Sequence, residues 1–129
     1  MVKSVLSLTG KRCLVLDDEF LIALDIQQIL EAAGAEVVCI GNAADALAAV
    51  EGSRFDLAVL DVKLGGPVRT SLSVAAVLAK QGVPFLFLTG MRRKELQHSQ
   101  FPNAPVVEKP YETQTLWDAV ARALGSIDR

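Results

Sequence analysis

The chain has 129 residues, of which 51% are hydrophobic and 22% charged, and its 13 basic against 15 acidic side chains give a formal charge of −2. That composition excludes disorder, and the length suits one domain able to bury its own core. No long basic run is present to line a nucleic-acid backbone, and apolar runs such as Val83 to Leu88 are far shorter than a membrane span, so the expectation is a compact cytoplasmic protein that binds neither nucleic acid nor membrane.

Met1 to Gly10 reads as a short leader, residues 11–124 as the domain and residues 125–129 as a tail. The first strand is Cys13 to Leu16. Behind it, Ile22, Ile26, Ile29, Leu30 and Ala33 mark one face of a helix that Gly34 ends. A second strand at Glu36 to Ile40 leads to Asn42, placed to cap a helix over Ala43 to Val50. The third strand, Phe55 to Leu60, precedes a helix over Ser71 to Lys80, which Gln81-Gly82-Val83-Pro84 stops. A fourth strand covers Phe85 to Leu88. From Met91 to Pro105 a short or mobile fourth helix is expected: Arg92, Arg93, Lys94 and Glu95 suit its start, while His98, Pro102, Asn103 and Pro105 oppose its continuation. Val106 to Val107 is the fifth strand, and the last helix runs from Thr113 as N-cap to Leu124, with Leu116, Val120, Ala123 and Leu124 inward and Gly125 ending it. Cys13 and Cys39 sit in apolar runs without a Cys-x-x-Cys or His/Cys companion and read as small hydrophobes. Apolar strands alternating with helices predict an α/β fold, a doubly wound five-stranded parallel sheet of order 2-1-3-4-5 between two helical layers.

Polar residues stand just past four of these strands: Asp17-Asp18-Glu19, Asp61, Thr89 and Lys109. An open parallel sheet binds ligands outside the carboxyl ends of its strands where the strand order reverses, here between the first and third, so Asp17, Asp18 and Asp61 meet. Carboxylates brought that close repel unless a cation offsets them. An all-oxygen set with no nitrogen or sulfur ligand suits Mg²⁺, which commonly binds one or two carboxylates plus a phosphate. Lys109 then offers a fixed charge and Thr89 a hydroxyl to phosphoryl oxygens, and Asp61 is the natural nucleophile. Singly these residues say little, since Asp17 or Asp18 would serve as a helix cap, Thr89-Gly90 as a turn and Lys109 as a surface charge. Their joint placement at four strand ends carries the reading.

The acidic pair Asp17-Asp18, the strand-end Asp61, Thr89 and the pair Lys109-Pro110 occur in the order and approximate spacing of response-regulator receiver domains, which the sequence resembles over roughly residues 11–124. The resemblance implies a flavodoxin-like fold and a signalling phosphoacceptor rather than an enzyme, one that catalyses only its own Mg²⁺-dependent phosphoryl transfer and loss. Asp61 would take the phosphoryl group from a histidine kinase or histidine phosphotransferase. Asp18 would ligate the metal directly and Asp17 partly through water, with the Lys63 backbone carbonyl completing the protein's share, while Thr89 and Lys109 contact the phosphoryl oxygens. A cis Lys109–Pro110 bond is implied too, and a downstream protein partner fits. Relay, phosphate sink and switch all remain open.

Two departures stand out. Val106 occupies the position where receivers usually carry an aromatic switch residue, and Asp61-Val62-Lys63-Leu64-Gly65-Gly66 replaces the common Asp-x-x-Met-Pro-Gly. With Phe87-Leu88-Thr89-Gly90, these features resemble the single-domain FATGUY group, whose members often work with HWE-type kinases, although Met91 stands where that group has an aromatic. Readout of phosphorylation is then expected as an order change in the Gly65 to Thr70 loop and the fourth-helix region. Lys63 and Met91 are placed to tune water access to an acyl phosphate. His98 is read as a surface residue, and Tyr111 and Trp117 as packing. A flavodoxin-like cofactor binder would need a Ser/Thr/Gly-rich phosphate loop where Asp17-Asp18-Glu19 stands. A haloacid-dehalogenase phosphatase would need Asp-x-Asp there. The remaining alternative is a degenerate receiver that binds proteins independently of phosphorylation.

Overall fold

The computed structural model describes residues 7–62, 70–90 and 101–125. The expectations placed on Lys63, on the Gly65 to Thr70 loop ahead of Thr70, on Met91 and His98, and on most of the short fourth helix lie outside those residues. The described elements are β1 (Arg12–Leu16), α1 (Phe20–Ala32), β2 (Glu36–Ile40), α2 (Ala43–Gly52), β3 (Leu57–Val62), α3 (Thr70–Gln81), β4 (Phe85–Thr89), β5 (Val106–Glu108) and α4 (Thr113–Leu124). All strand pairs are parallel, and the sheet order is β2-β1-β3-β4-β5. The expected α/β fold of five parallel strands is therefore the observed one. Phe101 to Pro105, the described end of the expected fourth helix, is turn and irregular chain.

Strand residues alternate between two faces, so each apolar run feeds two cores. Cys13 and Val15 of β1, Leu57 and Val59 of β3, and Leu86 and Leu88 of β4 pack with Ile26 and Leu30 of α1 and Leu116 and Val120 of α4. Leu14, Leu60, Phe85 and Phe87 face the other way, against Ala46 and Val50 of α2 and Val74 and Leu78 of α3. Val106 packs into this second core, where the rings of Phe85, Phe87 and Phe101 meet edge-on or tilted, with centroids 5.4 to 6.2 Å apart. Burial of large side chains such as Phe55 supplies much of the stability, and truncating one to alanine costs about 3–5 kcal/mol.

Helix ends follow local chemistry with one correction. The Asn42 side chain accepts a hydrogen bond from the Asp45 N–H at 2.8 Å, the expected cap of α2. Thr113, expected as N-cap of the last helix, is instead its first residue. The Leu116 N–H bonds to the Glu112 carbonyl, which starts the first turn one residue earlier and leaves Glu112 in the cap position without a side-chain bond. Gly34 has φ of +105°, and a Cβ there would lie 2.5 Å from Thr9 Oγ1, so only glycine lets the chain leave α1 so tightly. Leu8, inside the expected leader, is fully buried, and its N–H bonds to the Ala33 carbonyl, so the packed core takes in the chain ahead of Lys11. At the amino end of the sheet, Arg12 donates its backbone N–H to Asp56 and lays its guanidinium 4.4 Å from the centre of the Phe55 ring. That polar closure leaves the carboxyl end for chemistry.

Candidate functional site

Register brings the acidic residues together. Leu16 pairs with Leu60 at the centre of the sheet, so the residues that follow, Asp17 and Asp61, lie side by side where β1 gives way to α1. Asp61 sits inside β3, paired with Leu88, rather than just beyond it as expected. The ladder uses only backbone groups, so a polar side chain does not end it. Thr89 likewise is the last residue of β4, fully buried between Val62 and Glu108, and its carbonyl accepts the Lys109 N–H at 2.8 Å. Lys109 follows β5, and the Lys109–Pro110 bond is cis, as the resemblance implied.

The Lys109 ammonium lies 2.7 Å from Glu19 Oε1, 3.0 Å from Asp61 Oδ1 and 3.4 Å from Asp17 Oδ2. Burial alone would lower its pKa, but hydrogen bonds to Glu19 and Asp61 and the charges of Asp61 and Asp17 outweigh that, and the ammonium is held above the ordinary lysine value. Lys109 thus stays charged through the neutral range.

The oxygens of Asp17 divide their work. Oδ1 accepts the Glu19 N–H at 2.8 Å and so shapes the turn into α1, the local role that a lone acid here would have. Oδ2 is buried and accepts no hydrogen bond. Carboxylate oxygens of Asp17, Asp18 and Asp61 all lie within 4.8 Å of one another. A buried oxygen with unused lone pairs, in an all-oxygen set of that span, fits a hard divalent cation such as Mg²⁺.

The structure therefore brings together Asp17, Asp18, Asp61 and Lys109 and places Thr89 at the end of the neighbouring strand. Lys63 lies outside the described residues. Sequence reasoning missed two contacts. Glu19, noted only as part of an acidic run, is the shortest partner of Lys109. Asp25 on α1 accepts the Tyr111 hydroxyl at 2.8 Å and ties that helix to the segment after β5. Burial, with the Asp25 hydrogen bond and the charges of Asp25 and Asp17, raises the Tyr111 pKa, so the hydroxyl remains a donor.

The chain as a whole is similar to known proteins in fold and sequence. A solved response regulator receiver protein from Sinorhizobium medicae is similar over 93% of this chain and 98% of its own, with a TM-score of 0.81 and 27% identity. The solution structure of SdrG from Sphingomonas melonis covers 92% of this chain and 99% of its own at a TM-score of 0.75 and 35% identity. Among curated proteins, the transcriptional regulatory protein PdtaR of Mycobacterium tuberculosis is 33% identical over 90 residues, which span 67% of this chain and 42% of that relative's length. The family model for the response regulator receiver domain matches residues 13–121, and the chain belongs to that family.

Proposed function

We propose that this receiver accepts a phosphoryl group on Asp61 from a histidine kinase or histidine phosphotransferase in a Mg²⁺-dependent step. The observation that carries the reading is the Asp61 carboxylate, 5% exposed at the switch point of the sheet, with the Lys109 ammonium at 3.0 Å and the unused Oδ2 of Asp17 beside it. Asp61 supplies the nucleophilic oxygen. A bond forms from that oxygen to phosphorus as the donor's P–N bond breaks, or the P–O bond of a small phosphodonor, and the electron pair leaves with the donor. Asp17, Asp18 and Asp61, with the Lys63 carbonyl, would hold the metal, which when bound supplies charge neutralisation to the phosphoryl group in transit. Lys109 provides the fixed positive charge for the phosphoryl oxygens, and Thr89 is the candidate hydroxyl donor from the adjoining strand. Loss of the group follows when a water oxygen attacks phosphorus, which restores the carboxylate and releases inorganic phosphate. An HWE-type kinase is the partner that the partial resemblance to the FATGUY group suggests, and a separate downstream protein fits a receiver that acts as a switch.

The test is intact mass after incubation with Mg²⁺ and acetyl phosphate. The wild type should gain one phosphoryl group, and neither Asp61→Asn nor the wild type in excess chelator should gain any. An adduct that persists in Asp61→Asn contradicts the assignment.

A further inference from the structure

Lys109 stands at a lightly supported edge of the sheet. β5 has 3 residues and lies outermost, beside β4, and the Lys109 N–H makes the last backbone hydrogen bond before the chain leaves the sheet, to the Thr89 carbonyl. From there the side chain crosses β4 toward β3, two strand spacings or roughly 10 Å away, and its ammonium ends 3.0 Å from Asp61 Oδ1. A side chain used up in that crossing has little slack, so a small drift of its backbone withdraws the charge from Asp61. Beyond Lys109 the chain runs through Pro110, which has no N–H, then Tyr111 and Glu112, before α4 begins. Among the described residues, no backbone N–H of that segment enters a hydrogen bond. The Tyr111 hydroxyl supplies a tie instead: it donates to Asp25 Oδ2 at 2.8 Å, while the ring packs against the core beneath α1 and α4. Asp25 is a firm anchor, because the fully buried Ile26 and Leu30 fix α1 on the sheet.

Resting on the receiver chemistry above, we propose that Tyr111 and Asp25 are a positioning pair, whose hydrogen bond braces the segment after β5 against α1 and so keeps the Lys109 ammonium aimed at the phosphoryl site on Asp61. Neither residue touches the reacting atoms. The brace acts through orientation, since a charge already held where the transition state needs it requires no reorganisation during the reaction. Removing the hydrogen bond lowers the population of the aimed geometry by no more than the bond's own worth, which sets the effect at about two- to tenfold.

The test follows phosphoryl gain by intact mass with Mg²⁺ and acetyl phosphate. Tyr111→Phe keeps the ring in the core and removes the donor, Asp25→Ala removes the acceptor, and Asp25→Asn keeps an acceptor oxygen. The rate should fall about two- to tenfold in Tyr111→Phe and in Asp25→Ala, fall no further when the two are combined, and return to the wild-type value in Asp25→Asn. Losses that multiply in the combined variant would mean two separate roles and overturn the pairing. Asp25→Asn as slow as Asp25→Ala would assign the effect to charge and overturn the brace. An unchanged rate in Tyr111→Phe overturns it too, while leaving the receiver reading intact, and a wild type that gains no phosphoryl group overturns both. A looser fold alone would also slow the reaction, so the second readout sits at Lys109: the ¹⁵N signal of its ammonium should shift in Tyr111→Phe and Asp25→Ala and keep its wild-type position in Asp25→Asn. A slowed reaction with the Lys109 signal unmoved would place the effect elsewhere and overturn the positioning role.

Discussion

Lys109 is the residue on which the site balances. Its ammonium, 15% exposed, touches Asp17, Asp61 and Glu19, and without it two buried carboxylates lose their counter-charge. Lys109→Met should lower stability in chelator by about 1–3 kcal/mol, the cost of leaving buried charged groups unpartnered, as read from urea denaturation. An unchanged midpoint would mean that the carboxylates are balanced elsewhere. Because the Lys109 pKa is raised on folding, its contribution is fully present below the ordinary lysine value of 10.5 and is lost as pH rises through the folded value. The difference between wild type and Lys109→Met should accordingly be flat at neutral pH and shrink only in alkali. Asp17, Asp61 and Lys109 were legible in the sequence because each interrupts or follows an apolar run at a strand end. The Glu19 and Tyr111 contacts were not, since their partners lie 90 and 86 residues away along the chain and only the folded sheet brings them together.

At the scale of elements, apolar period and end signals located every described strand and helix, and the errors sit at the boundaries. Asp61 and Thr89 belong to their ladders because backbone pairing ignores side-chain polarity, and Thr113 gave up its cap to Glu112 because the first turn closes one residue early. The two cysteines test how the strands are covered. Cys13 on β1 is fully buried, and burial, with the Asp56 charge opposed by Lys11, pushes its thiol up to about 11. Cys39 on the edge strand β2 is exposed, with its own pKa raised by burial of the thiol and by Glu31. A thiol reagent at mildly alkaline pH should modify Cys39 in the native protein and Cys13 only on unfolding, as peptide mapping would show. For Cys13 the native chain keeps a proton that the unfolded chain gives up above 9.0, so its contribution to stability falls as pH rises from there toward about 11. Early labelling of Cys13 would contradict the packing of α1 and α4 over β1.

Across the whole molecule, polar function is divided between the two ends of one sheet: Arg12 and Asp56 close the amino end, while carboxylates and Lys109 gather at the carboxyl end. Among the described residues no helix is long and apolar enough to cross a membrane. The topology was readable because parallel strands joined by right-handed helical crossovers leave few arrangements, whereas the Phe101 packing that completes the second core depends on a turn with no periodic signal. A metal held by the native site and not by the unfolded chain must stabilise the fold. Mg²⁺ at ten times its dissociation constant should add about 1.4 kcal/mol, and Asp18→Asn should abolish the gain in a thermal melt. Equal stabilisation of the variant would place the ion elsewhere. The central claim, an acyl phosphate on Asp61, is tested most directly by trapping. Hydroxylamine converts an acyl phosphate to a hydroxamate, and the tryptic peptide Phe55 to Lys63 carries both Asp56 and Asp61. After treatment with Mg²⁺ and acetyl phosphate, fragment masses should place the hydroxamate on Asp61; its appearance on Asp56 or on another peptide, or its absence, would contradict the account.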